Sequence, residues 1–535
     1  MNTDEVADVL ELTAQLMELH DENPFKIRSL VSAAYKLSKS RISLEGKTLA
    51  ELETIDGIGK GIAQKIIEIA EKGITDELKK LKENTPEGLL EVLKIKGLGP
   101  KKVRVIWQEL GIESVGELEY ACNENRLVEL KGFGEKTQES IKKNIAFLLA
   151  NQNKQHYAYA LQLAFEIKEI LSIAWPSRRI ELSGEILRKC EVINKIELLV
   201  SGEALEVPEE LTNYKNRFLI SFCSEDDFVS QWVKKSGTKE HLDQSGLSNL
   251  VSRKFETQEE VYKALGLQYI EPELREGRGE VALARMNQIP KLIVSADLKG
   301  VLHNHSTYSD GVNTLAEMAE YCLSQGYQYF GIADHSQSAF YANGMKPERV
   351  MEQHQEIDLL NKKYSNFKIF KGIESDILND GNLDYEKDIL QSFDFVVASV
   401  HSNLKMSESK ATDRLIKAIE HPETRILGHP SGRLLLAREG YPLDYKKIID
   451  ACSANKVVIE LNAHPYRLDL DWRWIYYCIE KNVLISINPD AHVREAISDM
   501  QYGINVARKA MLTKENCLNA MSLPEFTDWI ENGKK

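Results

Sequence analysis

Nine side chains in the last 240 or so residues have the types and spacing of a hydrolytic metal centre: His303, His305, Asp310, His335, Glu374, His401, His429, Asp490 and His492. Most of them follow apolar, β-type runs. These runs read Val301-Leu-His303-Asn-His305, Tyr329-Phe-Gly-Ile-Ala-Asp334-His335, Ile369-Phe-Lys-Gly-Ile-Glu374, Phe395-Val-Val-Ala-Ser-Val-His401, Arg425-Ile-Leu-Gly-His429, Val457-Val-Ile-Glu-Leu-Asn462 and Leu484-Ile-Ser-Ile-Asn-Pro-Asp490-Ala-His492. One histidine at a strand end is usually a satisfied polar group. Here six of the chain's twelve histidines occupy such positions. Residues two apart on a strand share a face, so His303 and His305 can reach one cation, and Asp490 and His492 repeat the arrangement. Asp310 adds an anionic oxygen from the turn Ser309-Asp-Gly311. Nine nitrogen and oxygen donors exceed what one tetrahedral ion takes. They suit two or three divalent ions, Mn²⁺ first and Zn²⁺ or Fe²⁺ as alternatives, bridged by a carboxylate such as Glu374. Water activated on ions held by His303, His305, Asp310, Glu374 and His401 is then the expected nucleophile, attacking a phosphoester in line. Arg433 and Arg467, just after the fifth and sixth runs, are candidates to clamp phosphate through paired N–H groups. His20, His156, His241, His354 and His421 fall in helical or loop contexts and receive no role, and His464, followed by Pro465, reads as a turn residue.

The runs recur about every thirty residues, enough for a strand, a helix and two loops. Parallel strands wrapped by helices, with function at their C-terminal ends, predict a TIM-like (β/α) barrel over residues 295–535, distorted because it has seven strands rather than eight. Upstream, residues 155–290 mix short strand-like runs such as Arg217-Phe-Leu-Ile-Ser-Phe-Cys223 with helices, an α/β region. Residues 1–150 are helical throughout and carry an internal repeat. Ile55-Asp-Gly-Ile-Gly-Lys-Gly61 returns as Ile95-Lys-Gly-Leu-Gly-Pro-Lys101 and, more loosely, as Leu130-Lys-Gly-Phe-Gly-Glu-Lys136. Two glycines two apart allow a tight turn and close backbone approach, and the amides opening the next helix can hold a phosphate oxygen. This is a helix-hairpin-helix grip on DNA backbone, independent of base sequence, in which Gly57, Gly59, Lys60, Gly97, Gly99, Lys101 and Lys102 are the expected contacts.

At 535 residues the chain is long enough for several domains, and 43% apolar and 28% charged residues describe a globular protein. A formal charge of −14 argues against indiscriminate binding to polyanions but leaves local phosphate contacts open. No apolar run reaches the roughly 18 residues of a membrane span. The acidic start Met1-Asn-Thr-Asp-Glu5 is not that of a signal peptide, so no membrane association is expected. Seven scattered cysteines without a CxxC pair read as reduced thiols of a cytoplasmic protein.

Leu302-His-Asn-His-Ser306 with Asp310, Ala333-Asp-His-Ser336, Gly372-Ile-Glu374, Ser399-Val-His-Ser402, Gly428-His-Pro430 and Pro489-Asp-Ala-His492 resemble the motifs of the PHP (polymerase and histidinol phosphatase) domain. All nine of that family's metal-ligand positions are filled. Ala264-Leu-Gly-Leu-Gln-Tyr-Ile-Glu-Pro-Glu-Leu-Arg-Glu-Gly-Arg-Gly-Glu280 resembles the segment joining palm and PHP domain in bacterial family X DNA polymerases (PolX), and Asn23-Pro-Phe-Lys-Ile-Arg28 with the hairpins matches that family's N-terminal domain. The resemblance spans the chain and breaks in the palm. Where the family places paired aspartates, the matching positions hold Lys195 and Glu197. Glu185 stands where a serine is usual, and no acid lies between Glu210 and Glu225, the stretch where a third aspartate belongs. A lysine there repels both catalytic ions, so the resemblance implies a degenerate palm with little or no nucleotide transfer. Lys65 matches a lyase lysine of such N-terminal domains, with Gly61 beside Lys60 at the other expected lysine, and reads as a surface residue.

The expectation is a Mn²⁺-dependent phosphoesterase acting on ended or gapped duplex DNA in the bacterial cytoplasm, near the nucleoid, as a 3′→5′ exonuclease or 3′-phosphatase in repair. A small-molecule phosphatase of the histidinol-phosphate type, and a DNA-binding scaffold with structural metals, are the alternatives.

Overall fold

Three exposed glycine turns with one geometry organise the N-terminal helices. In the computed structural model, which describes residues 3–533 apart from 40–43, 45, 56, 124–125, 152–153 and 252–253, the chain separates into two compact units, Met1–Gln152 and Asn153–Lys535. Met1 and Asn2 of the acidic start and Asp56 of the first hairpin motif lie outside the described residues. In the first unit Gly57, Gly97 and Gly132 sit at φ of 81°, 87° and 90°, a left-handed backbone that glycine alone adopts without strain. Each is followed by a buried apolar residue, Ile58, Leu98 or Phe133, whose N–H donates at 3.0 Å to the carbonyl three residues back. A second glycine then opens the helix Lys60–Lys72, Pro100–Leu110 or Glu135–Asn151. The third, looser copy of the motif thus folds like the other two. Helices Thr3–Leu19 and Pro24–Lys39 pack on this array and share its core through Leu10, Met17, Leu30 and Leu37.

The second unit opens with β1 (Gln155–His156), the helix Tyr157–Ala174, β2 (Ile180–Ser183), β3 (Val192–Ile193), β4 (Ile196–Ser201) and β5 (Phe218–Cys223). Strand β1 pairs with β3, while β2, β4 and β5 form a sheet in that order, antiparallel between β2 and β4 and parallel between β4 and β5. The helix covers one sheet face through Ala160, Leu163, Ala164 and Ile167. Short helices over residues 228–285 build a separate small core around Val233, Val261, Tyr262 and Leu274. Arg275 is wholly buried there; Nε donates to the Ile270 carbonyl at 3.0 Å, Nη2 to Gln258 at 2.6 Å, and the guanidinium lies over the Tyr262 ring.

The seven expected parallel strands follow in sequence order: β6 (Gly300–Val301), β7 (Tyr329–Ile332), β8 (Lys368–Asp376), β9 (Phe395–Ser399), β10 (Thr424–Leu427), β11 (Val458–Asn462) and β12 (Ile485–Asn488). The ring of strands is nearly closed. At the C-terminal mouth Asn304 bridges Ala491, with the His305 N–H donating to the Ala491 carbonyl at 2.9 Å. At the other end Asn519 fastens the seam: its Nδ2 donates to the Gly300 carbonyl at 3.2 Å and its Oδ1 accepts from the Ile487 N–H at 2.8 Å. Period-two alternation turns Leu302, Tyr329, Phe370, Phe395, Val397, Ile426 and Val458 inward, and sends their neighbours outward to the surrounding helices. Gly331 and Gly372 leave room for the Phe395 ring, which would stand 2.7 and 2.3 Å from a Cβ at those positions. The helix Leu523–Asn532 floors the barrel, with Phe526 stacked 4.4 Å from Tyr329 and edge-on to Phe370 at 4.8 Å. All seven cysteines are free, and among the described residues no helix is long and apolar enough to cross a membrane.

Candidate metal centre

The strand ends bring all nine expected residues to one polar cluster at the barrel mouth. Glu374, on β8, is its hub. Its Oε1 stands 3.2 Å from His303 Nε2, 3.1 Å from His401 Nε2 and 3.0 Å from His429 Nε2, and its Oε2 stands 2.9 Å from His335 Nδ1 and 3.7 Å from His305 Nε2. Asp490 Oδ1 is 3.0 Å from His305 Nε2, and Asp310 Oδ1 is 3.2 Å from His492 Nε2 and 3.7 Å from His335 Nε2. Three overlapping groups are compact enough to hold an ion: His305, Asp310, His335 and His492; His303, His305 and Asp490; and His335, Glu374 and His401. His305 and His335 belong to two groups each. His429 enters none and reaches the cluster through Glu374 alone.

Local backbone explains the convergence and corrects one expectation. Strand β6 ends at Val301, and His303 sits at φ 55°, so strand alternation does not carry His303 and His305 to one face. A left-handed residue at the strand end turns the chain instead, and both imidazoles arrive fully buried with ring centres 5.4 Å apart. Asp490, at φ 52°, and His429, at φ 21°, turn in the same sense. Such residues persist only where their surroundings over-determine them, and they gather at functional sites.

Charge and burial divide the ring nitrogens. Burial opposes ionisation of Glu374, but His401, His303 and His335 hold its carboxyl well below the usual range, and His303, His305 and His492 do the same for Asp490. His305, buried with His492 and His335 beside it, is pushed down to about 3. His401 is raised to about 10, because Glu374 and Asp376 outweigh its burial. Buried atoms without a hydrogen bond cluster here, among them His303 Nε2, His305 Nδ1 and Glu374 Oε2. Lone pairs facing one another without a shared proton fit divalent cations among them, and imidazole with carboxylate is a donor set for Mn²⁺, Zn²⁺ or Fe²⁺.

Three carboxylates escaped the spacing argument. Strand β8 runs two residues past Glu374, and Asp376 takes His401 Nδ1 at 2.5 Å. Glu460, inside β11, faces His303 Nδ1 at 2.6 Å. Asp334 accepts from the Ser306 N–H and hydroxyl and from Ser309 and Gln353, tying down the loop that carries Asp310. The usable signal was an acid within an otherwise apolar run.

The two arginines part company. The expectation that Arg433 clamps phosphate is corrected: Nε donates to the Arg467 carbonyl at 3.0 Å, Nη1 to Asp471 at 2.9 Å and Nη2 to the Leu468 carbonyl, so every guanidinium nitrogen is engaged in the adjoining loop. Arg467 stands 3.6 Å from Asp490 Oδ2, at the edge of the centre. His464 is a turn residue as expected, its carbonyl accepting from the Arg467 and Leu468 N–H groups.

The middle region holds no comparable cluster among the described residues. Glu197 lies opposite Leu219 on β5, beside exposed Lys195, and burial raises its carboxyl despite nearby Lys235 and Arg188. Glu185 is occupied by Asn194, which donates through its N–H and its side-chain amide at 2.7 and 2.6 Å. In the first unit Gly57, Gly59, Lys60, Gly97, Gly99 and Lys101 are exposed, Lys102 folds back to donate to the Gly97 carbonyl at 3.3 Å, and Lys65 is ion-paired with Glu77.

A seven-stranded parallel barrel with histidines and carboxylates converging at its C-terminal mouth defines a metal-dependent phosphoesterase barrel of the PHP class, and the PHP domain matches residues 302–502. A helix-hairpin-helix domain matches residues 1–74, a SAM-like helix-hairpin-helix tandem residues 89–145, and the DNA polymerase beta thumb residues 228–276. The chain belongs to the bacterial PolX family: the DNA polymerase/3′-5′ exonuclease PolX of Bacillus subtilis (strain 168) is 34% identical over 99% of this chain and 100% of that protein. Relatives of the barrel region alone are named probable phosphatases. One from Thermoanaerobacter sp. (strain X514) is 26% identical over 44% of this chain and 97% of its own length, and one from Acetivibrio thermocellus is 23% identical over 44% and 95%.

Proposed function

We propose that the barrel cleaves phosphoester bonds at 3′ ends of ended or gapped duplex DNA, as a 3′→5′ exonuclease or 3′-phosphatase serving repair in the bacterial cytoplasm, near the nucleoid. The observation that carries this is the convergence of nine donors around Glu374 in a chain that also bears three backbone-gripping hairpins. Divalent ions bound there, Mn²⁺ favoured, would supply activated water and neutralise charge on the phosphate. His303, His305, Asp310, His335, Glu374, His401, His429, Asp490 and His492 hold that site. Arg467 donates to a non-bridging phosphate oxygen at its rim. Gly57, Gly59, Lys60, Gly97, Gly99, Lys101 and Lys102 take the DNA backbone through exposed amides and ammonium groups. Residues 1–150, 155–290 and 295–535 act as DNA-binding, palm-like and phosphoesterase modules. The palm-like module transfers little or no nucleotide, because Lys195 and Leu219 stand beside its lone strand carboxylate.

The probable phosphatases that match the barrel favour one second reading, hydrolysis of a small phosphate ester. One assay separates the readings: the full chain with Mn²⁺, 3′-labelled duplex, and a panel of sugar and amino-alcohol phosphates. Stepwise shortening of DNA that His303→Ala abolishes is expected. Turnover confined to the small phosphates selects the second reading, and tight DNA binding with no turnover under Mn²⁺, Zn²⁺ or Fe²⁺ leaves a scaffold. Extension of a primed template would overturn the loss of nucleotide transfer.

A further inference from the structure

Strand β11 lends none of the nine donors, yet it carries the most heavily bonded carboxylate of the barrel. We infer that Glu460 is a positioning residue that fixes the tautomer of His303, so that Nε2 presents a lone pair to the metal centre; this rests on the metal-centre reading above. Glu460 is fully buried and turned inward between Val458 and Asn462. Its Oε1 meets His303 Nδ1 at 2.6 Å and accepts from Asn488 Nδ2 at 2.8 Å, while its Oε2 accepts from the His429 N–H at 2.7 Å and Asn462 Nδ2 at 3.5 Å. The orientation of Asn488 is settled by its own neighbours, since its Oδ1 accepts from the Ser486 hydroxyl at 2.8 Å and from Asn519 Nδ2 at 3.3 Å. A carboxylate surrounded by donors accepts at every lone pair, so Nδ1 of His303 carries the proton and Nε2 does not. Nε2 is also the atom that faces Glu374 at 3.2 Å.

The same carboxylate braces backbone. His303 and His429 both sit in the left-handed region, and Glu460 holds one by its ring and the other by its N–H. Its neighbour Asn462 donates to Asp490 Oδ2 at 3.1 Å, the third left-handed residue of the cluster. A polar column therefore runs from Asn519 at the barrel seam through Asn488 and Glu460 to His303.

Glu460→Gln keeps the shape and sets a donor against a donor. If the new amide faces His303, the ring must move its proton to Nε2 and lose its free lone pair; if it faces His429, it opposes an N–H. Mn²⁺ affinity of the full chain, read by titration calorimetry, is expected to fall by about 10–100-fold. In the His303→Ala background Glu460→Gln is expected to add little, because the residue acts through that ring. An affinity within twofold of the parent overturns the inference, as does a full additional loss in the double variant. If Glu460→Gln fails to fold, the parent chain still decides: ¹⁵N shifts of its histidines, assigned by comparison with His303→Ala, must show His303 protonated at Nδ1, and an Nε2–H form refutes the inference. Because the readout is metal binding, a parent that binds Mn²⁺ but leaves DNA intact sinks the exonuclease reading alone, whereas a parent that binds no divalent ion sinks both.

Discussion

Asp376 Oδ1 stands 2.5 Å from Nδ1 of His401, whose Nε2 is 3.1 Å from the central carboxylate Glu374. A carboxylate behind a metal-facing imidazole fixes the ring and raises its basicity. The His401 pKa of about 10 is the metal-free expression of that pairing. Asp376→Ala is expected to lower both Mn²⁺ affinity and turnover by about 10–100-fold. Calorimetry beside a nuclease assay checks it, and unchanged affinity would show that the pair is ornamental to the centre.

Arg433 and Arg467 are expected to fail differently. Arg433→Ala strips a buried ion pair from Asp471 and two loop carbonyls of a donor, costing about 3 kcal/mol of stability. Arg467→Ala should leave the melting temperature in place and lower kcat/KM on DNA by about tenfold, the worth of one charge-assisted hydrogen bond. Thermal melts paired with steady-state kinetics distinguish the two, and equal melting losses would refute the division.

Gly97→Ala tests the hairpins. A Cβ at residue 97 meets only Asn144 Nδ2, at 3.9 Å, so the cost is left-handed backbone strain of about 1–2 kcal/mol rather than a clash. Fluorescence anisotropy should show weaker binding to every duplex sequence alike, while Mn²⁺-dependent hydrolysis of a small phosphate ester stays at the parent rate. Sequence-selective weakening would contradict a backbone grip.

His354 sets an acid limit on the barrel. Burial, with Lys371 nearby, pushes its pKa down to about 4. The unfolded chain then binds a proton that the folded chain refuses, so stability from this group is present above pH 6.5 and is lost as pH falls through 6.5 toward 4. Urea denaturation across that window should steepen in the parent and flatten in His354→Gln. Parallel curves for the two would remove the residue from the account.

The nine donors were legible because a (β/α) barrel places function after its strands, so residue type and a thirty-residue rhythm were enough to find them. Their bracing was not. Glu460 and Asp376 carry no spacing signal; each is an acid inside a strand, and only the ring across the barrel reveals its purpose. Arg433 and Arg467 look alike in sequence, and the loop between them decides that one is consumed by carbonyls. Strand alternation gave the right neighbours for His303 by the wrong route, since the backbone turns left-handed where a strand was expected. The loosest hairpin copy proved as regular as the others, because the geometry needs only two glycines around a buried apolar residue.

Asn519 and Phe526 lie downstream of every donor, yet one fastens the strand ring and the other floors it. Synthesis runs from the hairpins toward these two, and domains fold in the order they emerge. A nascent chain would thus be able to grasp a nucleic acid while still unable to cut it. Translation that stalls short of residue 519 would release a binder that occupies DNA ends and protects them.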